Sequence, residues 1–107
     1  MNMNPEEIPN KIEKEVVLEM LKMNGFGHPE TRELVTEWTK QKETEVEKNE
    51  NPNRASILFN IERTDLYFVI GDTRGAVECL EDALLQAEKE NEVELQEQIL
   101  EKLKGLK

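Results

Sequence analysis

The amino-acid sequence predicts an all-α fold: two antiparallel helical hairpins stacked on each other and closed by a C-terminal capping helix. Three observations carry that expectation. Apolar residues recur every three or four positions through most of the chain, the spacing that collects them on one side of a helix. Glycine, proline and asparagine cluster at Gly25 to His28, Asn51 to Asn53 and Gly71-Asp72, which marks where the chain reverses. One short run, Leu66 to Ile70, could be a strand, but no second strand is present to pair with it,.

The elements follow in order. Asn4-Pro5-Glu6-Glu7 reads as a cap with proline in the first turn, and residues 1–8 read as a short tail before Pro9 restarts the helix,. Ile12, Val16, Met20 and Met23 then recur at helical spacing, with Val17 and Leu21 widening the stripe. Asn24-Gly25-Phe26-Gly27 ends this helix and His28-Pro29-Glu30 opens the next, whose apolar face is Leu34, Val35 and Trp38,. Beyond Lys40 the second helix is polar except for Val46, a stretch that Glu–Lys pairs can hold in water,. The third helix carries the strongest apolar segment, Ile57 to Phe59, Ile61 and Leu66 to Ile70. Asp72 is placed to cap the fourth helix, which turns Ala76, Val77, Leu80, Ala83, Leu84 and Ala87 inward,. A last helix, capped by Asn91 with Glu94 three residues on, presents Leu95, Ile99, Leu103 and Leu106,. Periodicity leaves open whether the fourth and fifth helices are separate or one bent rod.

Composition bounds the function. With 107 residues the chain is expected to form a single domain, 1–107,. The formal net charge is −10, and it is unevenly spread. Ala76 to Glu101 holds nine acids (Glu78, Glu81, Asp82, Glu88, Glu90, Glu92, Glu94, Glu97, Glu101) and one base, Lys89. Such a field repels nucleic acid and anionic membrane, so neither is expected as a direct partner. The N-terminus has no basic and apolar leader pattern, and Leu66 to Ile70 is too short to span a bilayer,. The one cysteine, Cys79, offers no internal disulfide,. A cytoplasmic protein is the expectation.

Ile57 to Ala87 resembles a tetratricopeptide (TPR) repeat, a helix-turn-helix unit of about 34 residues,. The matching residues are Tyr67, the turn Gly71-Asp72, Ala76, Leu80 in the large apolar slot, and Ala83. Small residues at Ala76 and Ala83 let two helices approach closely while Leu80 fills the seam between them. The chain departs from the family pattern at Asn60, Arg63, Thr64 and Glu88. A degenerate earlier copy aligns Thr31 to Val35 with Thr73 to Val77 and Trp38 with Leu80. Two repeats fall short of a free-standing solenoid, so the last helix or a second subunit has to cover the remaining apolar face, and a homodimer is one expectation.

Nothing in the sequence selects a catalytic group, a cofactor or a metal, and a non-enzyme is expected. His28 is the only histidine and reads as a helix-start residue; Cys79 reads as a small core residue,. Gly25-Phe26-Gly27 lies at a helix end and is too short to cradle a phosphate,. The resemblance implies a binding groove lined by the first helix of each hairpin, which here would carry Leu58, Ile61, Asp65 and Phe68. Acid at Asp65 and Glu62 argues against clamping a terminal carboxylate and for an amphipathic helix or a basic-apolar peptide of another protein. Trp38 is a core residue or an anchor at the hairpin seam. The alternative is an acidic antagonist whose Glu78, Asp82 and Glu94 occupy the basic groove of a nucleic-acid-binding protein.

Overall fold

The computed structural model describes residues 11–106, so the expected tail and Asn4-Pro5 cap lie outside the described residues. Five helices follow one another: α1 (Lys14–Asn24), α2 (Pro29–Lys48), α3 (Pro52–Val69), α4 (Thr73–Lys89) and α5 (Val93–Leu106). No strand occurs among the described residues, and Leu66 to Val69 completes α3.

Local chemistry sets the ends. Proline takes the first helical position of both α2 and α3, where its missing N–H costs no hydrogen bond,. The His28 Nδ1 accepts the Glu30 N–H, the Asn51 side chain accepts that of Arg54, and the Asp72 carboxylate accepts that of Gly75 at 2.8 Å,. The α3–α4 and α4–α5 reversals share one design. At the end of α3, Gly71 has φ of 77° while Asp72 N–H reaches the Tyr67 carbonyl and Gly71 N–H that of Phe68. At the end of α4, Asn91 has φ of 57°, Glu92 N–H reaches Ala87 and Asn91 N–H reaches Glu88. Both are Schellman closures, which need a left-handed residue at that position. The fourth and fifth helices are therefore separate. Asn91 closes α4 rather than capping α5, a correction the sequence could not make because asparagine suits either role.

Packing divides into two apolar clusters that share α3. Ile57 joins Leu80, Ala83 and Ala87 of α4 and Leu95, Ile99 and Leu103 of α5. Phe59 joins Val17 and Leu21 of α1 and Trp38 of α2. Successive residues of a helix are about 100° apart, so neighbours such as Ile57 and Phe59 serve opposite flanks of one rod. The result is a slab with extents of 48 × 35 × 15 Å, one helix layer deep on either side of α3.

In α1 the stripe sits elsewhere than the periodicity suggested. Val17 and Leu21 are buried, whereas Val16 is 50% and Met23 73% exposed. Two overlapping stripes are written into this helix. The one that meets Trp38 is the one buried; of the other, Val16 and Met23 face solvent, Met20 is half-buried and Ile12 packs against the same cluster.

Candidate functional site

α3 is the helix to examine, because both clusters use it and a third flank is left over. That flank carries Leu58, Ile61, Asp65 and Phe68, spaced so that they share one side of the helix over about 15 Å. Leu58 and Phe68 are each 42% exposed. Ile61 is half-buried and packs against the α4–α5 cluster. Asp65 is half-buried too, and its carboxylate is ion-paired with Lys14 of α1. The stripe is thus two exposed apolar ends around a neutralised, partly covered centre. A partner can bury the ends without stranding the Asp65 charge, since Lys14 already neutralises it.

Trp38 does not belong to this surface. It is fully buried, its ring centroid lies 5.6 Å from that of Phe59, and the Lys42 ammonium sits 5.9 Å from its centroid. Of the two roles the sequence allowed, the structure selects core. Its indole N–H is buried and finds no acceptor among the described residues, and the buried hydroxyl of Thr31 is likewise without a partner. Each such group costs about 1–3 kcal/mol relative to a satisfied one.

The acids of the alternative reading are where that reading needs them. Glu78, Asp82 and Glu94 are all exposed on α4 and α5. Glu78 is held by Arg74 one turn earlier at 3.4 Å, while Glu92 is tied to Arg54 of α3 at 2.7 Å.

Sequence reasoning missed a second concave region. A cleft of about 320 Å³ between α1, α2 and the end of α3 is lined in part by Phe26, Val35, Leu66 and Ile70, with Arg63 and Tyr67 beside them. Phe26 and Ile70 are 47% and 38% exposed. Periodicity says nothing about an aromatic between two glycines in a loop, so Phe26 carried no signal beyond its size. Tyr67 also abuts α4: a Cβ added to Gly75 would lie 2.6 Å from the Tyr67 Cδ1. A side chain at that position would have to displace both the Tyr67 ring and the Asp72 cap carboxylate, whose Oδ2 also lies 2.6 Å from the added atom. Nearby, Cys79 is half-buried; burial pushes its thiol up, opposed by the Arg63 guanidinium and a hydrogen bond with Tyr67. A thiol held this way is less nucleophilic at neutral pH than an open one.

Among the described residues, no group of three or more His, Cys, Asp and Glu side chains is arranged to hold a metal ion. Among the same residues, no helix is long and apolar enough to cross a membrane. Comparison with family models, with curated proteins and with solved structures returns no match.

Proposed function

We propose that the chain is a non-catalytic protein-binding module, TPR-like in build, that seats a helix or peptide of a partner protein along α3. The observation that carries this reading is the exposure of Leu58 and Phe68 on a helix whose other two flanks are committed to cores. Apolar side chains at the two ends of one stripe suit anchor residues about three turns apart on an amphipathic partner. The acids beside it already have lysine partners, Asp65 with Lys14 and Glu62 with Lys42, so in this reading the apolar ends rather than charge select the partner.

The TPR-like build is supported by Ala76, Leu80 and Ala83, all fully buried where the repeat needs its seam, and by Gly71 at positive φ in the turn. Trp38 and Leu80, matched in the degenerate alignment, are both fully buried. Two hairpins, α1–α2 and α3–α4, and a capping α5 is the corresponding assembly. A second copy of the chain is one form the partner takes in this reading, and sedimentation across concentration tests it.

The exposed acids of α4 and α5 favour the antagonist reading, in which Glu78, Asp82 and Glu94 fill a basic groove. Substitution separates the two. Partners are captured on the wild-type chain from its host, identified and purified, and titrated against Leu58→Ala/Phe68→Ala and against Glu78→Lys/Asp82→Lys/Glu94→Lys. The α3 reading expects the first variant to weaken binding while remaining folded, and the second to leave it nearly unchanged. Binding that survives apolar truncation and collapses on charge reversal leaves the antagonist reading standing.

A further inference from the structure

In a chain of net charge −10, four of the 14 lysines and arginines converge on one cavity. It has a volume of about 420 Å³ and lies where residues 11 and 12 meet the middle of α2. Lys11, Lys40, Lys42 and Lys48 line it, Glu45 is the only carboxylate among the lining residues, and Ile12 and Trp38 supply apolar surface. We propose that this cavity binds a small organic anion with a flat apolar body, such as an aromatic carboxylate or sulfonate. The site is separate from the α3 stripe and does not rest on it.

Three features specify that ligand. The first is local charge, four cations against one anion, in a molecule whose remaining surface is acidic. A long polyanion laid over the cavity would run onto that acid, whereas a small anion meets the four lysines against Glu45 alone among the lining carboxylates,.

The second feature is that the lysines are loosely engaged. Lys11 lies 3.8 Å and Lys42 3.7 Å from Glu45, Lys42 is 3.4 Å from Glu62, and Lys40 is 3.9 Å from Glu37. A tight charge-assisted contact is about 2.7–2.9 Å. Lys48 has no ion pair among the described residues. These ammonium groups can turn to a ligand without breaking a strong bond.

The third feature is Trp38, fully buried at the cavity wall with an indole N–H that no described residue accepts. Buried indole N–H groups ordinarily find a partner. A ligand that turns the Lys42 ammonium off the Trp38 ring can bring an oxyanion or ring acceptor to this N–H, and Ile12 together with the indole surface so uncovered gives the flat body its contact.

Trp38 is the only tryptophan, so its emission reports on the cavity directly. The probe is 1-anilinonaphthalene-8-sulfonate, an aromatic sulfonate that takes up energy from tryptophan at short range. The full chain is titrated beside Lys40→Gln/Lys48→Gln and a matched control, Lys102→Gln/Lys104→Gln on α5. All four lysines are exposed, and each pair includes one in the last turn of its helix, so the variants perturb folding alike. We expect one site that quenches Trp38, with affinity lower by about five- to tenfold in the α2 variant and unchanged in the α5 variant. Uncharged N-phenyl-1-naphthylamine should bind more weakly than the sulfonate, and raised salt should weaken the sulfonate alone. Equal binding by both lysine variants, equal binding of the uncharged analogue, or loss of dye binding only in Leu58→Ala/Phe68→Ala would each overturn the proposal.

Discussion

The two sides of α3 are built by different means. On one side, α4 closes against it through alanines and α5 packs on α4: Ala76, Ala83 and Ala87 are fully buried, Leu80 and Ile99 fill the space between, and both reversals are Schellman closures. On the other side, α1 and α2 depend on one large ring. Trp38 fills the centre, Leu34, Val35 and Val46 around it are only half-buried, and two buried polar atoms lack partners. Small residues bring backbones together over a long seam, so their contribution is spread over many contacts. A single ring concentrates it. The α4–α5 side therefore reads as the stable scaffold, and the α1–α2 side as the adaptable one, with concave surface and loosely paired charge. α3 belongs to both, which leaves its third flank on a rigid support.

The sharpest way to break that comparison is to remove the ring. Trp38→Ala is expected to destabilise by about 3–5 kcal/mol in urea, with the loss centred on α1 and α2. Hydrogen exchange should then show α1 and α2 opening while α4 and α5 stay protected. Uniform loss of protection would mean that the two sides unfold as one.

The seam is tested by overfilling. Ala83 is fully buried, so Ala83→Leu is expected to cost about 1–3 kcal/mol,. A variant with wild-type stability would place the α3–α4 contact elsewhere. Gly75→Ala sets two effects against each other. Alanine favours the helix by about 1 kcal/mol, but its Cβ would meet both Tyr67 and the capping Asp72 carboxylate at 2.6 Å,. Tyr67 is held between the cleft and α4, so steric overlap should win and leave a net loss of up to about 2 kcal/mol. A gain in stability would show that Tyr67 moves aside freely.

The smallest effect belongs to the ion pair that joins the two sides. Lys14 and Asp65 are 23% and 43% exposed at their side chains, so solvent screens much of their attraction,. Asp65→Asn is expected to cost no more than about 1 kcal/mol, and less as salt rises. A larger loss would make this contact part of what holds α1 in place.

Much of this architecture was legible in the sequence, and unevenly so. The α4 face was readable because Ala76, Leu80, Ala83 and Ala87 form one unbroken stripe beside a glycine turn. The α1 face was misjudged because Val16–Met20 and Val17–Leu21 are equally good stripes. Only the position of Trp38, more distant in sequence, decides between them. On α3 the apolar positions were legible but their division was not: Leu58 and Phe68 are exposed, while Ile61 packs into the α4–α5 cluster. The lysine cavity was not, because Lys11 lies about 30 residues from Lys40 and Lys42 and reaches them only through the α1–α2 reversal. Gly75 carried no signal as a residue in a helix; its meaning lies in the ring of Tyr67 opposite.

We propose that a partner is held by the apolar flank of α3 rather than by the acids of α4 and α5. The most direct test is the affinity of the wild-type chain for its purified partner, measured from about 0.05 to 0.5 M salt, a range over which the screening length falls from well above 10 Å to about 4 Å. Buried apolar contact is not screened. The account predicts an affinity that changes by less than about threefold across that range. A fall of a hundredfold or more, about the response expected of several charge pairs acting together, would contradict it.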